Sequence, residues 1–363
     1  MIARKGLLYA VLSHVVRTID RHSSIPALHH VKLDSDGDTL RIEATDLTTH
    51  IVASIPCQGR VRACLPAKSL ADFVKPEDAK DRQSLVELLP EEGEKITVAV
   101  DAAMTTMSSL PVADFPRRPG DKLAAKSWTT VGTWRAADLV EQLGWVTLAC
   151  GTDETRRHLC GVLFEKDHVV GLDGHRLHLS RINGLDGGAT LLPSKSIAAM
   201  IRIAPKSGDV IATRSKDVVR FTFATGNVNW EIETRVMEEK FPPYDQVIPK
   251  YPVYMAEVDR DAFLRAIMRM PRSKTNRTHG VRVVVNGMIK LERDGDDGMV
   301  STTIPVIRTT HVGPDSTIGV NSTYLADAFS SGADVVTARF GGELDPIRFD
   351  IGDRVAVVMP MRQ

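Results

Sequence analysis

Along the chain, hydrophobic and polar positions follow two periods in alternation. Near residues 5–20, 135–149 and 260–270, apolar side chains recur at three- and four-residue steps, which predicts three amphipathic helices. Two more helices are expected just after Pro66 and Pro193. There Leu70, Phe73 and Val74, and likewise Ile197, Met200 and Ile201, fall on one helical face, with the prolines where the helix begins. Elsewhere the period drops to two. Leu40–Glu43, Ile96–Ala99, Val218–Ala224 and Val228–Glu233 alternate apolar with polar residues, as half-buried strands do. The last two strands flank Thr225-Gly-Asn227, the chemistry of a tight hairpin turn.

This alternation repeats. The stretch Leu65-Pro-Ala-Lys-Ser-Leu-Ala-Asp-Phe-Val74 returns 127 residues later as Leu192-Pro-Ser-Lys-Ser-Ile-Ala-Ala-Met-Ile201. A third copy, Val320-Asn-Ser-Thr-Tyr-Leu-Ala-Asp-Ala-Phe329, follows after a further 128. Asp46 and Asp173 share the 127-residue offset, with a looser third counterpart in Ile289–Asp294, and Phe115-Pro116 precedes Phe241-Pro242 by 126. Several pairs at one offset define a repeat, and a repeat of helix, strands, helix and strands is an α+β unit built on antiparallel sheet. The expected domains are 1–120, 121–250 and 251–363, with Phe115–Gly120 and Ile248–Pro252 as linkers.

Composition narrows the function classes. The chain has 363 residues, 43% of them hydrophobic and 25% charged, enough apolar mass for several cores. Its 46 basic residues balance 46 acidic ones, which excludes a strongly cationic nucleic-acid coater. At 5% aromatic, a base-stacking platform for single strands is not expected either. No apolar run is long enough to span a bilayer, and the amino-terminal helix is interrupted by His14, Arg17 and Asp20, unlike a secretory leader. Cys57, Cys64, Cys150 and Cys160 lack CxxC spacing, so a reducing cytoplasm is the expected compartment.

Certain segments are more specific. Leu110-Pro-Val-Ala-Asp-Phe-Pro116, Leu159-Cys-Gly-Val-Leu-Phe-Glu165, Asp173-Gly-His-Arg-Leu177, Phe241-Pro-Pro-Tyr-Asp-Gln-Val247 and the terminal Val357-Val-Met-Pro-Met-Arg362 occur in this order. Together with the threefold repeat they resemble the bacterial DNA sliding clamp, the beta subunit of DNA polymerase III, over the whole chain. The resemblance implies three clamp-type domains with antiparallel sheets outside and two helices each inside, closed head-to-tail by a second copy into a ring. A ring holds double-stranded DNA by topology, without base contacts or cofactor. It implies a processivity factor, not an enzyme, that tethers replicative and repair polymerases and meets the clamp loader through short peptide motifs. A clamp paralogue dedicated to an accessory polymerase or mobile replicon is the alternative.

Site residues carry over by motif. The resemblance implies a partner-peptide cleft from Leu159, Leu172, Gly174, His175, Arg176, Leu177, Pro242, Gln246, Val247, Val357, Met359, Pro360, Met361 and Arg362, with Asn321 and Tyr324 nearby. Aliphatic walls and soft methionines suit an apolar anchor that varies between partners. Leu172 stands where the family often has Thr, and Gln246 where it often has Arg, which makes the cleft less polar. DNA backbone contacts are implied at Arg21, His22, Lys68, Arg156, Arg157, Lys195 and Arg202, and dimer contacts at Met107 and Met268.

Catalysis is the rival class. Asp173, His175 and His178 form the one acid–base or metal grouping in sequence, but strand alternation puts His178 on the opposite face. HExxH, GxSxG, P-loop and GxGxxG motifs are all absent, so neither metal nor nucleophile is declared.

Overall fold

A computed structural model describes residues 1–19, 23–270, 279–295, 298–311, 313 and 315–361. Six helices occur among them: α1 Lys5–Val15, α2 Ala67–Phe73, α3 Ala136–Thr147, α4 Ser194–Ile203, α5 Arg260–Met268 and α6 Ser322–Ala328. Five lie where the apolar spacing places them, although α1 stops at Val15, short of 20, and α6 falls on the third copy of the repeat. The prolines differ from expectation by one position. Pro66 and Pro193 close the preceding strands, and the helices start one residue later. Proline's restricted φ, −58° at Pro66, suits the extended residue that precedes a first turn. Asn321, the third counterpart, caps α6 by accepting a hydrogen bond from Thr323 N at 2.8 Å.

The contacts divide the chain into two compact units, Met1–Val140 with Lys195–Val236, and Glu141–Ser194 with Met237–Gln363. Both are built on antiparallel sheet. The first unit carries a twelve-stranded sheet in which Thr49–Gly59 pairs with Gly37–Thr45 along one edge and with Val228–Arg235 and Ile2–Arg4, end to end, along the other. The second carries a nine-stranded sheet, in which Arg176–Arg181 pairs with both His168–Leu172 and Arg354–Val358, and a four-stranded sheet ending on Gly298–Ile304. The middle sequence repeat is thus shared: its first strand, Thr129–Arg135, and its last three, within 209–235, complete the first unit's sheet, and the four between, from Gly161–Phe164 to Thr190–Pro193, join the second unit's. The hairpin expected at Thr225–Asn227 is present, with Gly226 at φ +57° joining Val218–Thr225 to Val228–Arg235.

The repeated aspartates show why the repeat exists. Asp46 Oδ1 accepts from Thr48 N at 3.0 Å and Thr49 N at 2.6 Å. Asp173 Oδ1 accepts from His175 N at 2.8 Å and Arg176 N at 3.0 Å. Each closes a hairpin by the same side-chain turn. Asp294 has no such role. It pairs with Arg282 on the neighbouring strand at 2.8 Å, which accounts for the looser match of the third copy.

Polar clusters are buried within the first unit's sheet. Glu43 accepts from His50 Nε2 and Lys32 Nζ, each at 3.1 Å. Glu233, fully buried, is held by Arg118 at 2.5 Å, Arg220 at 2.7 Å and the Gly120 amide at 2.9 Å, which fastens the linker onto the sheet. No helix among the described residues is long and apolar enough to cross a membrane.

Candidate functional site

In the second unit the sequence places a short 3-10 segment, Glu154–Leu159, next to the hairpin of His168–Leu172 and Arg176–Arg181. Asp153 starts the segment by accepting from Thr155 N at 3.0 Å, and a non-helical turn at Arg156 then swings the chain. Leu159, Leu172, Leu177 and Val357 fall on buried positions of neighbouring strands and turns. With Leu163, Val170, Leu191 and Tyr244 they form one apolar cluster. The cluster is the floor of a cavity of about 300 Å³.

The walls come from three places. Pro242, Pro243, Tyr244, Gln246 and Val247 form one side, and Gly174, Arg176 and Met359 another. Arg156 and His158 close the rim. Gly174 is required for this arrangement. It sits at φ +91°, a conformation that favours glycine, and a Cβ there would lie 2.7 Å from Arg156 Nη2 and push the guanidinium off the turn. Among the described residues no carboxylate lines the cavity. Its polar groups are cationic or neutral, and it is therefore suited to an apolar segment with acidic or carbonyl-rich flanks.

Ten of the residues inferred from motifs line this cavity: Leu159, Leu172, Gly174, Arg176, Leu177, Pro242, Gln246, Val247, Val357 and Met359. His175 is outside the lining, but its carbonyl accepts from Met359 N at 2.8 Å. Asn321, Tyr324, Pro360 and Met361 are outside the lining. Asn321 is occupied in capping α6. Tyr324 has the Arg176 guanidinium over its ring at 4.4 Å and lies beside the His175 ring at 6.4 Å, so it packs against the Arg176 wall. Arg176 is further held by Asp173 at 3.0 Å and by Asp327. Met361 N donates to Gly319 O at 2.7 Å, so Pro360 stands between two backbone anchors. The terminal segment is thus docked at Met359 and Met361. Arg362 lies outside the described residues.

The structure revises the basic set. Arg156 lines the cavity, because the turn at its own backbone brings it over Gly174. Arg157 is exposed and pairs with Glu239 at 3.3 Å. Lys68, Lys195 and Arg202 are exposed on α2 and α4. Arg21 and His22 lie outside the described residues. Met107 is buried inside the first unit at 8% exposure, while Met104 on the opposite face of the same strand is 71% exposed. Met268, in the last turn of α5, is also 71% exposed. His158, Pro243 and Tyr244 line the cavity without having been assigned to it, although Pro243 and Tyr244 stand inside the Phe241–Val247 motif.

The acid–base grouping does not form. Asp173 is committed to its turn, and His178 is fully buried, stacked on Trp145 at 4.0 Å with Nδ1 2.8 Å from the Trp145 carbonyl. Burial lowers its pKa to about 3, which keeps it neutral. Among the described residues no group of three or more His, Cys, Asp or Glu side chains is placed to hold a metal ion.

Comparison with known proteins gives consistent relatives. The family described as DNA polymerase III beta subunit, N-terminal domain, matches residues 1–119. The beta sliding clamp of Caulobacter vibrioides is 27% identical over 345 residues, covering 90% of this chain and 88% of its own. Two solved structures share the fold. A sliding clamp from Bacillus subtilis superposes with a TM-score of 0.86 at 20% identity, covering 100% of this chain and 98% of that one. One from Bartonella birtlesii, bound to griselimycin, gives a TM-score of 0.86 at 23% identity, covering 100% and 99%.

Proposed function

We propose that the chain is a DNA sliding clamp, a processivity clamp whose cavity captures short peptides of its partners; its similarity to beta sliding clamps in sequence and its shared fold support the reading. It is a non-catalytic tether: it encircles duplex DNA as a homodimer, holds it without sequence preference and presents the cavity to replicative and repair polymerases and to the clamp loader, in the cytoplasm. Its three sequence repeats are the building blocks of that ring. The observation that carries the peptide reading is the 300 Å³ cavity itself, with a floor of Leu159, Leu172, Leu177 and Val357 and a rim of Arg156, His158 and Arg176. Aliphatic depth provides affinity and the cationic rim orients an acidic flank.

Two further features support the reading. The strands Ala103–Ser108 and Gly298–Ile304 end their sheets without a further partner among the described residues, and expose Met104 at 71% and Met299 at 60%. Such edges invite pairing with another chain, and a head-to-tail partner would cover both. Lys68, Lys195 and Arg202 offer phosphates exposed cations, and the chain's zero net charge leaves that attraction modest and suited to sliding.

The test is fluorescence polarisation with a short peptide carrying an aliphatic–aromatic anchor and an acidic flank. Val247, 39% exposed on the wall, tolerates change without loss of the core. Val247→Glu is expected to weaken binding more than tenfold, by burying an unpaired charge against apolar surface. Unchanged affinity removes the cleft assignment.

A further inference from the structure

The wall Pro242–Val247 is short and its own backbone bonds are local. Tyr244 N donates to Pro242 O at 2.8 Å, Gln246 N to Pro243 O at 3.3 Å and Val247 N to Tyr244 O at 3.1 Å. None of these ties the turn to the sheet. Tyr244 does. Its ring, 7% exposed, is part of the cavity floor, beside Phe241 at 6.2 Å. Its hydroxyl emerges on the far side, at the hairpin joining Gly161–Phe164 to His168–Leu172. There it donates to Glu165 Oε2 at 2.7 Å and lies 2.5 Å from His168 Nε2. His168 is in turn placed by Asp167, 2.7 Å from Nδ1, and its ring meets the tyrosine edge-on at 5.9 Å.

An apolar cluster gains nothing from a hydroxyl unless the hydroxyl is bonded, so a phenylalanine would fill this space at lower desolvation cost. The polar tip instead links the wall to a hairpin that does not itself line the cavity at these residues. We propose that Glu165 and His168 are positioning residues for peptide capture: through the Tyr244 hydroxyl they hold the Pro242–Val247 wall at the spacing the anchor requires. The inference rests on the peptide-cleft reading above and names the group that sets the cavity's width. A wall that is held before the peptide arrives costs less to order on binding, and the saving appears as slower release.

The experiment measures affinity and release rate of the same anchored peptide on the full chain for wild type, Tyr244→Phe, Glu165→Gln, His168→Gln and the Tyr244→Phe/Glu165→Gln double variant. Thermal melts run alongside. Each single variant is expected to bind about fivefold more weakly, the order set by one lost hydrogen bond, mostly through faster release. The double variant should bind no more weakly than Tyr244→Phe alone, because both changes remove the same link. A role confined to stability lowers the melting temperature and leaves affinity at the wild-type value; that result overturns the proposal, as do additive losses in the double variant. Glu165 and His168 are partly exposed, with side chains at 32% and 20%, so they remain testable if Tyr244→Phe fails to fold. If wild type and Val247→Glu both fail to bind, the cleft reading has failed and this inference falls with it. If wild type binds and the Tyr244, Glu165 and His168 variants match it, this inference alone has failed.

Discussion

Glu43 is a buried carboxylate whose charge the first unit depends on, and Glu43→Gln tests how much. The residue is 4% exposed, and its carboxylate receives His50 Nε2 and Lys32 Nζ at 3.1 Å each. Burial alone would raise its pKa. The His50 hydrogen bond and the Lys32 ammonium more than reverse that, and bring it from 4.5 to about 2. At roughly 1.4 kcal/mol per pH unit, a depression of this size contributes about 3 kcal/mol to folding. The sign follows from linkage. A carboxyl with a depressed folded-state pKa contributes fully above its unfolded value of 4.5, and the contribution is lost as pH falls from there towards 2. Glu43→Gln keeps the shape and removes the charge. Urea unfolding at pH 7 should therefore find the variant about 3 kcal/mol less stable, and the gap should close as pH approaches 2. Tryptophan fluorescence is a suitable probe, because Trp128, Trp134 and Trp230 lie in the same unit as Glu43. A gap that stays constant from pH 7 to pH 3, or no gap at pH 7, refutes the argument.

Other consequences are as direct. Reversing Lys68, Lys195 and Arg202 to Glu should shorten residence on nicked circular DNA and leave peptide affinity intact; unchanged residence excludes these cations from the DNA-facing surface. Gly174→Ala should destabilise the second unit by about 1 kcal/mol, through its positive φ, and displace Arg156, seen as lower stability in urea together with weaker binding of acidic-flanked peptides. Burial pushes the Cys64 and Cys150 thiols up to about 12, so a thiol reagent at pH 8 should reach neither until the protein is unfolded; rapid reaction of all four cysteines in the folded state contradicts the buried placement. Light scattering across a dilution series should give twice the 39.8 kDa chain mass, and a monomer at all concentrations removes the ring.

Local chemistry made the repeat legible in the sequence alone. Asp46 and Asp173 recur because the same side-chain turn closes two hairpins, and the helical faces around Leu70 and Ile197 recur because each packs on a sheet at the same period. The cavity was largely legible for the same reason, since Leu172 to Leu177 and Pro242 to Val247 are contiguous turns with distinctive residues. Other features depended on contacts between distant segments. Met104 and Met107 occupy opposite faces of one strand, and alternation by itself does not say which face is buried. Arg156 reached the cavity rim only because a backbone turn and a glycine some eighteen residues further on left room for it. Leu177 and Val357 became neighbours only when Arg176–Arg181 paired with Arg354–Val358, a register that no local pattern encodes. The sequence by itself determined the elements and their repetition, because propensity, capping and turn chemistry act within a few residues. Tertiary structure decided which side chains share a wall, because strand pairing across most of the chain sets that, and so it also decided that Tyr244 would reach Glu165 and His168.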